Sequence, residues 1–388
     1  MNRSTHSLAD TREWNLLLSA LSMYLHSHDG GAIQPVATVT IDWSSLLRLA
    51  DRHGVSSLLD QVLTRRKDAP VDVLSSLHQA HEHNVHKSLF LARELIRILN
   101  ALGALGIEAI PYKGVALSEI YYGDIAMRQA GDIDLFVHAE DVARIKGAMR
   151  DLGFSPRTRI PPNAEAAYLA SGYECTFDST SGKNLLELQW ALQPRFYAVD
   201  FDMEGLFRRS VNVTVAGQSV KTPCDEDLLI VLSVHAAKHA WEKLIWLFDI
   251  AQIMKRKSVN WEQVQSQARE LGIERILHLT LLLIDRLLAC ELPSPVQNAI
   301  AADRSAQVFA EQIASSIARG ISYQPETLPY FRLMMRLRER PIDRLRFLWR
   351  LTFTPGPGEW EFVHLPKALF PLYRVVRLAR LASRFAKL

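Results

Sequence analysis

An α+β fold, with a mixed β-sheet segment set between N- and C-terminal helical regions, is what this 388-residue sequence predicts. Three observations predict it. Apolar residues recur at three- and four-residue spacing over the first hundred residues and again after Pro223, which is the period of amphipathic helices. Between these stretches, short β-like runs alternate with helical segments closed by glycines. A composition of 48 % hydrophobic and 22 % charged residues is that of an ordinary globular chain. The length predicts more than one folding unit. The pattern shifts divide the chain into a helical region 1–103, an α/β segment 104–221, a helical segment 222–300 with a histidine cluster, and a basic helical tail 301–388.

In order, "TREWNLLLSALSMYLH" reads as a helix, and "DWSSLLRLADRHGVSSLLDQVLTRR" as two, with Asp42 as N-cap and Gly54 as the break. A longer helix runs from about Val71 to Leu102. "GIEAIPY" is a short strand, "KGVALSEIYYG" a helix ending near Gly123, "DIDLFVH" a strand, and "AEDVARIKGAMRDLG" a helix closed by Gly153. "GYECTF" and "NLLELQW" flank the turn-rich "DSTSGK", and "VNVTV" and "QSVKT" flank Ala216-Gly217; both read as hairpins. The helix in "TPCDEDLLIVLSVHAAKHAW" is expected to start with Thr222 as cap and Pro223 in its first turn, with acidic residues following. "KLIWLFDIAQIMKR" is the next helix, and the helical tail is interrupted by "TPGPGEW" at 354–360.

The net charge of +3 selects no class of partner. Its distribution is uneven, with thirteen Lys/Arg against four Asp/Glu from Phe331 to Leu388. Three scattered cysteines form no CxxC pair and fit a reducing compartment. No secretory pattern opens the chain and no apolar run reaches membrane-span length, so the expected location is cytoplasmic.

The chemistry is concentrated in "RQAGDIDLFV". In a strand, residues two apart share a face, so Asp132 and Asp134 point one way while Ile133 and Leu135 point the other. Adjacent like charges raise each other's pKa unless a cation balances them, and hard divalent cations prefer carboxylate oxygens. Glu187 in "NLLELQW" projects opposite Leu186 and Leu188. If its strand lies beside the aspartate strand, the three acids converge as a set able to hold Mg²⁺ or Mn²⁺ for phosphoryl or nucleotidyl transfer. For an isolated Asp-x-Asp the alternative is an exposed polar edge. Gly114 opens a helix whose free N–H groups favour phosphate, and Lys113 adds a positive charge; a plain strand-to-helix turn is the alternative there. Arg128 is placed to pair with the carboxylates, to reach a phosphate, or to form a structural ion pair.

Taken together, "IPYKGVALSEIYYGDIAMRQAGDIDLFVHAED", "LLELQWAL" and "VLSVHAAKHAWEKLIWLFDIAQI" resemble the uncharacterised nucleotidyltransferase family, assigned to the DNA polymerase beta-like superfamily. The resemblance implies a nucleotidyltransferase-like mixed sheet, with metal at Asp132 and Asp134, Glu187 as third acid, and triphosphate at Lys113-Gly114. The wider superfamily has a Gly-Ser turn at that last place. The family often has a histidine two residues after the third acid, where this chain has Gln189.

His235 and His239 stand four apart beside an apolar stripe. They lack the glutamate of the HExxH pattern. Three readings stay open: buried structural histidines, a separate metal site with Asp249, or cleft residues that, with Lys238 and Trp241, support nucleotide or acceptor. Arg374, Arg377, Arg380 and Arg384 form one basic stripe, either a solvated face or a contact for nucleic acid or an anionic surface. The expected function is metal-dependent transfer of an NMP from an NTP to a hydroxyl or phosphate acceptor: a sugar, another small molecule, a protein or peptide, or an RNA end. The rivals are a non-catalytic interaction protein retaining the fold and a metallohydrolase using His235, His239 and Asp249.

Overall fold

Five short strands form the sheet at the centre of the computed structural model, which describes all residues except 1–10, 27–40, 68, 158–159, 161–163, 181, 324–326, 356, 364 and 386–388. In chain order the strands are β1 (Ala109–Pro111), β2 (Ile133–Val137), β3 (Phe154–Pro156), β4 (Glu174–Ser179) and β5 (Gly182–Gln189). Their spatial order is β1-β2-β5-β4-β3. β2 and β5 are parallel and every other pair is antiparallel, so the sheet is mixed. A separate hairpin of β6 (Val211–Val215) and β7 (Gln218–Thr222) follows.

The strand period of two assigns each face of the sheet to a different core. Ile133, Leu135 and Val137 of β2, Leu186 and Leu188 of β5, and Cys175 and Phe177 of β4 enter one apolar cluster. Leu91, Leu95, Ile98 and Leu102 of the long helix Val71–Ala104 cover it, with Val142, Ile145 and Met149 of the helix Val142–Asp151. Burying such a side chain fully contributes about 1.5–3 kcal/mol, which fixes the register of both central strands. The opposite face carries Asp134 and Phe136. Phe136 stacks on Tyr112 at 3.9 Å, and both belong to a second, larger core. That core joins the helices Arg12–His26, Trp43–His53 and Ser56–Arg66 to Asp225–Lys238, Leu244–Met254 and Glu274–Leu288. The carboxylate face of the sheet therefore looks onto the helical body.

Local chemistry sets several boundaries as expected. Asp42 accepts a hydrogen bond from the Ser45 N–H at 3.1 Å, and Gly54 ends the helix in the left-handed conformation at φ 70°. The helix Gly114–Tyr122 stops at Gly123, φ 73°. Thr222 is a correction. It is the last residue of β7 and its hydroxyl donates to the Pro111 carbonyl at 3.2 Å, so Cys224 takes the N-cap position of Asp225–Lys238. Ladder pairing with Val211 removes Thr222 from capping.

In the tail, the helices Pro341–Phe353, Pro357–Phe362 and Tyr373–Phe385 pack as short segments. The basic stripe is split. Arg377 is buried and reaches Glu359 at 3.3 Å, Arg380 pairs with the same carboxylate at 3.0 Å, and Arg374 is exposed. The side chain of Arg384 lies outside the described residues. Among the described residues no helix is long and apolar enough to cross a membrane.

Candidate active-site cleft

Asp134 on β2 and Glu187 on β5 are register partners of the parallel pair. Each is flanked by leucine or isoleucine side chains that enter the core behind the sheet, so both carboxylates project to the same open face. Asp132, the residue before β2, lines the same cavity. Its volume is about 730 Å³, and it is walled by the sheet, the long helix and the segment 235–246. Two of the three acids are thus paired across the strands, and the third lines the same cavity.

The acids are out of balance with their surroundings. Burial first, then Asp134, Glu174 and Asp132, pushes the Glu187 carboxyl up to about 8. Burial first and then Asp134 pushes Asp132 up to about 6. Glu174 is a fourth carboxylate on this face, missed from sequence. It is opposite Gln189 in the β4–β5 ladder, a register that only the folded hairpin defines. Gln189 stands two residues after Glu187 on β5 and shares its face. Its Oε1 accepts from Tyr112 OH at 2.8 Å, and its Nε2 donates to Glu187 at 3.4 Å, so it steadies the third acid without titrating.

Cations face the acids. Lys113 is buried, with Nζ 3.3 Å from Asp134 Oδ1 and 4.7 Å from the Tyr112 ring. It is the N-cap residue of the helix opened by Gly114, whose φ of +58° brings the turn close to the Asp132 carbonyl. Lys238 donates to Tyr173 OH at 2.9 Å, and that hydroxyl donates in turn to Glu174. Arg128 lines the cavity too, but its guanidinium goes to neither aspartate of the strand. It pairs with Asp249, Nε at 2.9 Å from Oδ2. The structural ion pair is thus formed, and pairing with the carboxylates of the strand is not.

The histidine segment resolves in parts. His235 and His239 line the cavity with rings 4.9 Å apart, and His235, Lys238 and His239 all face it. Burial and then the neighbouring lysines push His239 down to about 3, while burial and then Lys113 hold His235 well below its usual value. Asp249 is not with them, because Arg128 and Tyr122 occupy its carboxylate. Trp241 is fully buried and donates to Thr280 at 2.9 Å, away from the cleft. The tryptophan at the cleft is Trp246, half-buried and 5.2 and 5.1 Å from the two histidine rings. Its sequence signal was position alone: it follows the helix start by two residues.

A hard divalent cation suits this donor set in kind. The acids are oxygen donors on one face that repel each other when ionised. Among the described residues no three His, Cys, Asp or Glu side chains are gathered closely enough to cage a metal. Mg²⁺ is commonly held by one or two carboxylates together with substrate phosphates rather than by an all-protein cage, and Asp134 with Glu187 or Asp132 fits that pattern.

Comparison with known proteins gives three findings. The profile of a family described as uncharacterised nucleotidyltransferase matches residues 40–289, which includes every cleft residue named above. No curated protein matches the chain. The crystal structure of an antigenic nucleotidyltransferase-like protein from Paracoccidioides brasiliensis is similar at 16 % identity, over 54 % of this chain and 96 % of that one, with a TM-score of 0.31.

Proposed function

Since the chain belongs to the family of uncharacterised nucleotidyltransferases, we propose that its cleft transfers a nucleoside monophosphate from an NTP to a hydroxyl or phosphate acceptor and releases pyrophosphate. The observation that carries this reading is the register pairing of Asp134 with Glu187 beside Lys113-Gly114. It places paired acids next to a cationic, helix-opening turn in one cavity. Such a site suits a polyanion that arrives with a divalent cation.

The roles follow from position. The N-terminal N–H groups of the helix at Gly114 and the Lys113 ammonium receive the triphosphate, with Lys238 adding charge from the facing helix. Asp132, Asp134 and Glu187 are the residues that would hold Mg²⁺ or Mn²⁺. Bound there, the cation supplies charge neutralisation at the transferring phosphate and its leaving group. Where the two aspartates alone hold the cation, Glu187, steadied by Gln189, is the carboxylate left to accept the acceptor's proton. Trp246 with the histidine rings offers an apolar, stackable wall for a nucleobase.

The test is transfer of label from α-labelled NTPs with Mg²⁺ or Mn²⁺ to an acceptor panel: sugars, small molecules, peptides and RNA 3′ ends. Wild-type protein labels one acceptor class, and Asp134→Asn lowers the rate about a hundredfold or more, the scale of removing a preorganised charge contact. Labelling that persists unchanged in Asp134→Asn sinks the site.

A further inference from the structure

Nine of the fifteen exposed large apolar side chains among the described residues lie between residues 342 and 378. So dense a cluster on a short segment is not random surface apolarity. It has a specific origin. The helix Pro341–Phe353 is apolar on two sides: Phe347 and Leu351 enter the core, while Ile342, Leu345 and Trp349 stand in solvent at 59, 63 and 67 % exposure. A helix apolar all round is normally covered on both sides. The helix Tyr373–Phe385 repeats the arrangement, with Tyr373 and Leu381 inside and Val375 and Leu378 outside. The outer faces of both helices meet at one groove of about 650 Å³, where Trp349 and Phe353 face Val375 and Leu378.

The charge around this face has one sign. From Pro341 to Leu388 the sequence has nine basic residues against three acidic ones. The two acids whose side chains are described, Asp343 and Glu359, are buried and already paired with Arg340 and with Arg377 and Arg380. Arg350 is engaged by Asp200. Arg344, Arg346 and Arg374 are exposed and flank the apolar residues. Exposed tryptophan and aliphatic side chains interleaved with arginines are the chemistry of a helix lying in a lipid–water interface, where the apolar side enters the headgroup boundary and the cations meet anionic headgroups. A purely apolar protein partner would leave these arginines without counter-charge.

We infer that the face formed by the helices Pro341–Phe353 and Tyr373–Phe385 docks the protein on an anionic lipid bilayer surface. The contact is peripheral, and it is independent of the chemistry assigned to the cleft.

Flotation of the full chain with phosphatidylcholine vesicles, with and without about a third phosphatidylglycerol, tests it. Two double variants use exposed residues only: Leu345→Ser with Trp349→Ser, and Arg346→Glu with Arg374→Glu. Circular dichroism and melting temperature establish that both are folded. Wild-type protein floats with the anionic vesicles and not with the neutral ones, and each double variant floats at least tenfold less. Equal flotation of wild-type and variants, or none of wild-type with anionic vesicles, overturns the inference. So does light scattering that shows a dimer abolished by the serine variant in protein that does not float, since the face then joins two copies. Nucleic-acid binding lost only in the charge variant, again without flotation, overturns it as well.

Discussion

Arg128 Nε lies 3.0 and 2.9 Å from the two carboxylate oxygens of Asp249, and Tyr122 OH donates to the same carboxylate at 2.6 Å. This ion pair joins the segment before β2 to the helix Leu244–Met254, so it ties the strand bearing the aspartates to the wall bearing Trp246. Both partners are buried. Removing one leaves the other charge uncompensated in a low-dielectric setting, at a cost of about 3–5 kcal/mol. Asp249→Ala is expected to lower denaturant-measured stability by that amount. The double variant Arg128→Met, Asp249→Leu recovers most of it, because no orphaned charge remains.

Gly114 makes a second prediction. Its φ is +58°, and a Cβ there would sit 3.1 Å from the Asp132 carbonyl oxygen. Gly123 has φ +73° with open space around its Cβ position. Both Gly→Ala changes cost about 1–2 kcal/mol from the left-handed backbone. Only Gly114→Ala also pushes against Asp132, the residue before the aspartate strand. Calorimetry should show a loss of stability in both, larger in Gly114→Ala, and NTP binding by titration falls in Gly114→Ala and holds in Gly123→Ala.

His53 links stability to pH. Its ring is buried, its Nδ1 accepts from the Leu244 N–H at 3.3 Å, and burial, then Arg52 and Lys243, push its pKa down to about 4. The unfolded chain binds a proton near 6.5 that the folded chain refuses, so the unfolded state holds more protons between those values. Stability therefore rises with pH across that window and is lost as pH falls from about 6.5 toward 4. The full effect of this one group is about 3 kcal/mol. His53→Asn keeps an acceptor but does not titrate. Urea melts at pH 7 and pH 4.5 should show a smaller difference in that variant than in wild-type protein.

Much of this site was legible because strand periodicity is strict. Alternation alone put Asp132 and Asp134 on one face and Glu187 opposite two leucines, and the parallel pairing of β2 with β5 sets Asp134 beside Glu187. Caps were legible where a side chain acts locally, as at Asp42. The misreadings are all tertiary. Thr222 has a good cap residue's chemistry, but its strand ladder and the Pro111 carbonyl claim it. Trp241 and Trp246 are five residues apart, and only packing decides that the first bonds Thr280 in the core while the second faces the cleft. Asp249 lies close to the histidines in sequence, yet the Arg128 guanidinium and the Tyr122 hydroxyl have already claimed its carboxylate. The basic stripe of the tail failed as one unit because Glu359 draws Arg377 inward.

Glu187 separates stability from activity. Its half-buried carboxyl faces Asp134, Glu174 and Asp132, so without a cation the folded state holds it as the neutral acid while the unfolded chain releases the proton near 4.5. The folded protein thus binds the extra proton, and stability falls as pH rises from about 4.5 to about 8. Glu187→Gln is neutral at every pH and keeps the shape, so it removes this cost. In metal-free buffer at pH 7.5 the variant is expected to be more stable than wild-type protein by about 1–3 kcal/mol. The same change removes the proton acceptor and one candidate cation ligand, and should abolish transfer of label from α-labelled NTPs. A variant that is less stable than wild-type protein under these conditions would show that Glu187 is a structural residue held by Gln189 rather than a strained catalytic one.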